Sequence, residues 1–364
     1  MTAQDFIAAA EAALVAPAAN QDLARDLLSG ASRRPCFVVG RNDQSADLAG
    51  RLRLEGLVDD FAEPGSTWRG LPAIATTALP ADAVVINCST SISPVAVEQR
   101  IAAAGKATLI QVRDLIAAAG GAIDQPWFVR DQRDDWRAHR PEWADVFASL
   151  EDETSRQTLL DLVRYRLTAD ARYMRAYSVR LQDQYFEAFL DLRAEVFVDA
   201  GGFDGDTTEQ FCRRYPDYRR VHLFEPSQRN MRAARARLAA HRDIVFHEQG
   251  VSDQPGSLTF DAEAGSASAV TSGPGETVRM TTLDLAVAEP VSLIKMDLEG
   301  WELTALAGCQ RHIREDRPKL AIAVYHRASD FRTVWRYARA LHPDYRVYLR
   351  HYTQGWSETV MFFV

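Results

Sequence analysis

The chain has 364 residues, 47% hydrophobic and 25% charged, a composition that supports packed cores and excludes wholesale disorder. Its 42 Lys and Arg against 50 Asp and Glu leave a net charge of −8, which argues against general binding to nucleic acid or to an anionic membrane surface. No apolar run approaches the roughly 20 residues needed to span a bilayer, and the opening MTAQDFIAAAEAALV lacks the basic region of a signal peptide. A cytoplasmic protein with no membrane span is expected, and Cys36, Cys88, Cys212 and Cys309, with no C-x-x-C spacing, are expected to be reduced thiols.

Residues 5–15 and 22–28 carry the apolar spacing of short amphipathic helices. Strands are predicted at 36–40, 83–88 and 107–112, with a helix over 94–104, and this alternation implies a parallel sheet. After the first strand stands a lone Gly40, where a dinucleotide fingerprint needs three glycines. Residues 1–124 therefore read as a small Rossmann-like α/β domain without that fingerprint. Residues 125–141, dense in Trp, Arg and Asp, read as a solvated connector held down by Trp127, Trp136 and Trp143. Thr154 to Gln157 offers a capping box. Met174, Tyr177, Leu181, Tyr185 and Phe189 then recur at helical spacing, so 125–193 is expected to form a helical bridge, with Gln184, Tyr185 and Phe186 placed to cover a cofactor.

The informative pattern lies in residues 194–364. The strand Val196-Phe197-Val198 ends on Asp199 and opens a glycine-rich turn, D-x-G-x-x-x-G, through Gly201 and Gly205. Glycines there permit positive φ and close backbone approach to a ligand. The next strand, 221–224, ends on Glu225, 26 residues after Asp199 and where a ribose-binding acid belongs in a βαβ unit; Pro226 sets the turn. Strands at 244–247 and 291–296 lead to Ser252-Asp253 and to Asp297, and a fifth at 320–324 ends on Tyr325-His326. Ligands of open α/β sheets bind at such carboxyl ends. A mouth lined by Asp199, Asp204, Asp206, Glu225, Asp253 and Asp297 repels pyrophosphate and suits a cation. A ribose for Glu225 joined to sulfonium and ammonium groups meets both demands, as in S-adenosylmethionine. A calcium loop fails, because Gln210 or Tyr215 stands where its bidentate Glu is required, and no metal site is expected.

The segments Val198-Asp199-Ala200-Gly201-Gly202-Phe203-Asp204-Gly205-Asp206-Thr207, Phe224-Glu225-Pro226, Gly250-Val251-Ser252-Asp253, Thr282-Leu283-Asp284 and Ile294-Lys295-Met296-Asp297-Leu298-Glu299-Gly300-Trp301-Glu302 together resemble the FkbM family of S-adenosylmethionine-dependent methyltransferases. The resemblance covers about residues 154–364. It implies a class I methyltransferase doubly wound sheet of seven strands, the last antiparallel and inserted between its neighbours, with 345–352 and 358–364 as the final strands. It makes Asp199, Gly201 and Gly205 the methionine-moiety loop, with Gly202, Asp204 and Thr207 beside them. Glu225 becomes the ribose acid, followed by Pro226, and Asp253 with Ser252 lies near the adenine. The segment from Lys295 through Asp297 to Glu299 lies beside the transferred methyl. Known members methylate hydroxyl groups on sugars, polyketides and other natural products, so the expected partner is a small-molecule hydroxyl acceptor: a sugar, a polyketide or a lipid-linked compound. Self-association is left open.

Transfer to an alcohol needs a proton acceptor, and His326 is the expected general base, because an imidazole titrates near working pH. His351 is second, with Asp297 or Glu299 orienting either ring. Lys295 is expected to pair with Asp297 or Glu302 or to touch the substrate oxygen, and Tyr325, Tyr352 and Trp356 to offer aromatic walls. Two competing readings stand beside this one: a nucleotide-sugar or dinucleotide-dependent enzyme using the first domain, and a non-catalytic protein with a degenerate methyltransferase domain. The lone Gly40 counts against the first, the intact acid series against the second.

Overall fold

Short runs rich in Val, Ile and Phe build two large sheets and a small third one in a computed structural model of the protein, which describes residues 1–105, 107–121, 123–260 and 276–364. The residues fall into two compact units. One comprises Met1–Ala144, Gln157–Arg180 and Tyr352–Ser357; the other comprises Asp145–Arg156, Leu181–His351 and Glu358–Val364. The units are interleaved along the chain, unlike the consecutive stretches 1–124, 125–193 and 194–364 expected from the sequence.

The first unit holds β1 (Cys36–Val39), β2 (Gly56–Val58), β3 (Thr67–Trp68), β4 (Leu71–Ile74), β5 (Ala83–Asn87) and β6 (Ala107–Gln111) in the order β3-β4-β2-β1-β5-β6. All neighbours pair in parallel except β3 with β4. The twofold alternation of a strand sends Cys36, Val38, Val84 and Ile86 into one core and Phe37, Val39 and Val85 into another. The sheet is thus buried on both faces, which is why β1 and β5 read as unbroken apolar runs. At Gly40 φ is +107°, and a Cβ would meet the Cys88 carbonyl carbon at 3.0 Å, so the packing of β5 accounts for this glycine.

The second unit holds β7 (Val196–Ala200), β8 (Arg220–Phe224), β9 (Ile244–His247), β10 (Gly250–Val251), β11 (Gly256–Phe260), β12 (Glu276–Thr281), β13 (Leu293–Met296), β14 (Lys319–Ala323), β15 (Val347–His351) and β16 (Thr359–Phe363). Seven of these form a sheet in the order β15-β16-β14-β13-β7-β8-β9, and β10, β12 and β11 form a small one. From β9 to β14 every pairing is parallel, whereas β16 is antiparallel to both β14 and β15. This is the class I methyltransferase topology that the resemblance implies. It also brings the start of β16 to the sheet edge where the parallel strands end.

Three local expectations are corrected. Residues 125–141 do not form a solvated connector: they lie largely within the helix Trp127–Ser149, whose kink at His139 precedes Pro141. Phe128, Gln132 and Trp136 repeat every four residues, followed by Trp143 and Phe147, so one buried face runs through the charge-dense sequence. The helix Glu153–Thr168 is capped by Asp152, whose carboxylate accepts the Ser155 N–H at 2.7 Å, and not by the box beginning at Thr154. The residues from Met174 to Phe189 share no helix. They lie in and between the 3₁₀ turns Ala171–Met174, Leu181–Asp183 and Ala188–Leu190, and Tyr185 has φ +72°. Each aromatic has its own partner instead: Tyr177 donates to Asp161 at 3.2 Å, and Phe189 stacks on Tyr348 at 4.3 Å.

Among the described residues no helix is long and apolar enough to cross a membrane. All four cysteines are buried free thiols. Every residue of β16 is buried, and Phe362 pairs with Ala321 and Tyr348 on either side. Phe362→Ala should therefore lower the unfolding free energy by about 3–5 kcal/mol, the usual penalty for such a cavity, read as a reduced urea midpoint with an unchanged m-value.

Candidate active site

Asp199 and Lys295 occupy partnered positions on the adjacent parallel strands β7 and β13. The Lys295 ammonium lies 3.0 Å from Asp199 Oδ1 and donates to the Gly201 carbonyl at 2.7 Å, while the Thr208 hydroxyl donates to Asp199 Oδ2 at 2.7 Å. Burial opposes the Lys295 charge, but Asp199 and Asp297 outweigh it and raise its pKa. Lys295 thus pairs with Asp199, not with Asp297 or Glu302 as expected. Asp199 is fully buried beneath the turn and falls outside the cavity lining, where it holds Lys295 and Thr208.

The turn above it is fixed by backbone geometry. Gly201 has φ +80°, and a Cβ there would lie 2.0 Å from the Asp297 carbonyl oxygen. Both Gly201 and Gly202 donate their N–H to the Phe224 carbonyl at 3.0 Å, and Gly205, at φ +84°, leads into the helix Asp206–Arg214. Glu225, at the end of β8, accepts the Phe203 N–H at 3.0 Å on Oε2 and the Ser227 N–H at 2.8 Å on Oε1. Burial raises its pKa, against these backbone donors.

These elements surround a cavity of about 560 Å³ in the second unit, within the usual range for small-molecule sites. Gly201, Phe203, Thr207, Glu225 and Pro226 line it, as do Lys295, Asp297 and Tyr325. Gln184 and Tyr185 also reach it, as their position before β7 predicted, whereas Phe186 packs on Phe211 and Tyr215. Several expected contacts lie elsewhere. Asp204 is bound to the Arg237 guanidinium at 2.5 Å, and Ser252 and Asp253 fall outside the lining, although Gly250 and Val251 just before them belong to it. His351 is buried and hydrogen-bonds Thr359 across the β15–β16 pair at 2.9 Å, so it does not face the cavity. Tyr352 and Trp356 belong to the other unit, where Trp356 stacks on Phe128.

Beneath the cavity floor His326 is enclosed by acids. Its Nε2 lies 3.5 Å from Asp297 and 3.3 Å from Glu299, and its Nδ1 lies 3.1 Å from Glu302. Burial works against the charged ring, but these carboxylates outweigh it and hold its pKa at about 11. A ring protonated at both nitrogens has no lone pair for a substrate proton, which corrects the expectation of a general base. Asp297, Glu302 and His326 bring ligand atoms within 4.8 Å of one another, with the ring between the two carboxylates. Asp297 in turn accepts the Tyr185 hydroxyl at 2.6 Å and the Tyr325 hydroxyl at 3.3 Å.

The sign of the cavity agrees with the expectation, on partly different residues. Asp206, Glu225, Asp297, Glu299 and Glu358 line it against the single ammonium of Lys295, whose charge Asp199 already balances. Glu358 escaped the sequence reading. Its one signal is an acid opening an otherwise apolar antiparallel strand.

His326 holds its proton far more tightly when folded than when unfolded, where an imidazole titrates near about 6.5. Its contribution to stability is therefore complete below that value and is lost as pH rises toward about 11. Glu358, raised by burial and by Asp297, and Asp330, raised by burial and by Glu302, both titrate at about 7 and are largely ionised above pH 8. The urea-unfolding free energy should fall between pH 8 and 10, and fall less in His326→Gln. Parallel pH curves for the two proteins would show that the ring carries no charge.

Comparison with known proteins agrees with this architecture. The family model for the methyltransferase FkbM domain matches residues 199–354. The structure resembles that of methyltransferase FkbM from Methylobacillus flagellatus KT, with TM-score 0.76 and 25% identity, over 99% of this chain and 98% of that one. Fainter likenesses include a putative rRNA-methylase from Clostridium thermocellum, at TM-score 0.33 and 10% identity over 53% of this chain and 90% of that one. Another is Aeropyrum pernix fibrillarin, solved with natively bound S-adenosyl-L-methionine, at TM-score 0.34 and 15% identity over 50% and 71% of the two chains. No curated protein sequence matches. Residues 199–354 thus match the FkbM methyltransferase domain, and the whole chain is similar in structure to a methyltransferase of that name.

Proposed function

We propose that this protein is an S-adenosylmethionine-dependent O-methyltransferase whose acceptor is a hydroxyl group of a small molecule, such as a sugar or another natural product. The observation that carries the reading is Glu225 beside the Gly201 turn. Its Oε2 accepts only the Phe203 N–H and retains acceptor capacity for a ribose hydroxyl, while its Oε1 already accepts the Ser227 N–H and, at 3.4 Å, the Asn230 amide. The absence of a Cβ at Gly201, where one would collide with Asp297, leaves bare backbone at the cavity wall. The acidic lining supports a cationic ligand over a pyrophosphate.

S-adenosylmethionine, when bound, supplies a methyl group on a positively charged sulfur. The protein's own part is to hold the reactants in line and keep water out, the main sources of rate for such a displacement. Gly201, Phe203, Glu225 and Pro226 are the residues proposed to hold the nucleoside and amino-acid portions. Lys295 fixes the turn through the Gly201 carbonyl. Tyr185 and Tyr325 hold Asp297 in one orientation above the His326 imidazolium.

Titration with S-adenosylhomocysteine to a hundredfold excess over Kd should raise the melting temperature by roughly 5–10 °C, and Glu225→Ala should remove most of that rise. A wild-type protein that responds to NAD and not to S-adenosylhomocysteine would overturn the reading.

A further inference from the structure

Among the carboxyl groups lining the cavity, most are already committed. Asp297 accepts two phenol hydroxyls and faces the His326 ring, and Glu299 faces the same ring at 3.3 Å. Glu225 takes three donors, from Phe203, Ser227 and Asn230. Asp206 is exposed at the start of its helix, where it accepts the Thr207 N–H. Glu358 is more enclosed than Asp206 and, unlike Glu299, faces no cation at ion-pair distance among the described residues. Its Oε2 accepts the Gln184 amide at 2.9 Å, and its Oε1 has no hydrogen-bond donor among the described residues.

The backbone presents this group deliberately. Because β16 runs antiparallel, its first residues stand beside the end of β14, where Val324 donates its N–H to the Thr359 carbonyl at 3.0 Å. Glu358 itself has φ +65°, and three other non-glycine residues lining the same cavity share that region: Tyr185 at +72°, Phe203 at +46° and Glu299 at +53°. Such conformations are held only where surrounding structure over-determines them, and they cluster at ligand sites.

On the methyltransferase reading above, we propose that Glu358 is the general base, accepting the proton of the acceptor hydroxyl on Oε1. As the O–H bond breaks toward Glu358, the acceptor oxygen forms its bond to the methyl carbon. In the same step the carbon–sulfur bond breaks toward sulfur, leaving an ether, a thioether and a protonated Glu358. The surroundings tune this group. Burial and the Asp297 carboxylate push its pKa up to about 7, opposed by the Gln184 amide and the His326 imidazolium, with Glu299 adding to the rise. A carboxyl titrating there is ionised enough to accept a proton at neutral pH and basic enough to hold it. The acceptor class follows from the same charges: a phosphate or carboxylate placed here meets Asp297, Glu299 and Glu358, so the acceptor is an uncharged alcohol.

The test uses the full chain with glutamate ¹³C-labelled at the carboxyl, saturated with S-adenosylhomocysteine. The resonance missing in Glu358→Gln, or displaced in Glu358→Asp if the first variant misfolds, should titrate near pH 7; a midpoint below 5 overturns the proposal. With S-adenosylmethionine and methyl glycosides as probe acceptors, Glu358→Gln should lower kcat at least about 100-fold while the S-adenosylmethionine KM stays within about threefold. Turnover equal to wild type overturns the proposal, and if no probe is methylated the titration alone decides. Absence of S-adenosylhomocysteine binding to the wild type, measured by calorimetry, marks instead the failure of the underlying methyltransferase reading.

Discussion

Lys295 and Asp199 stand opposite each other on the two central strands of the larger sheet, fully enclosed and 3.0 Å apart. Two charges removed from water are tolerable only as a well-made pair, and removing one partner of such a pair typically destabilises by about 3–5 kcal/mol. The pair therefore pins β7 against β13 in one register. The same ammonium donates to the Gly201 carbonyl, so the strand register and the shape of the glycine turn are set by a single side chain. Everything at that edge inherits its position from this contact: the turn, the Glu225 carboxylate that receives Phe203, and the Asp297 carbonyl that leaves no room for a Cβ at Gly201.

A second charge balance lies on the far side of β13. His326 enters as a cation among Asp297, Glu299 and Glu302, and Glu302 also accepts the Leu298 N–H at 2.7 Å, closing the turn after β13. Asp199 is matched by Lys295, and His326 supplies one positive charge to three acids, so the cavity remains acidic. This division separates scaffold from chemistry. The histidine at a strand end and the buried lysine, which seem most reactive in isolation, are both held by carboxylates, and an uncommitted oxygen belongs to the glutamate just before the last strand.

The parts legible in the sequence were those governed by local rules. Strand periodicity, an acid closing a strand and glycines in the following turn located β7, β8, β13 and β14, Gly201 and Glu225 within a residue or two of their observed places. The parts that were not legible depend on contacts across space. Asp199 and Lys295 are 96 positions apart, and only the parallel register of β7 and β13 makes them partners. The protonation of His326 needs three acids from the loop and helix start after β13, and histidine alone reads equally well as a base. Tyr185 arrives in the cavity through a positive φ that no helical spacing reveals. Glu358 immediately precedes the one strand of that sheet that runs antiparallel to both neighbours, so the start of that strand, not its end, meets the other strand ends.

The dependence of ligand binding on this edge has a direct physical readout in a crystal structure of the full chain with S-adenosylhomocysteine. The predicted complex has the ribose hydroxyls on the Glu225 carboxylate, the amino-acid portion against the backbone of Gly201 to Phe203, and the sulfur on the side of the cavity that holds Asp297 and Glu358. A ligand bound in the unit that carries Gly40, or a cavity that stays empty at saturating ligand, would contradict it.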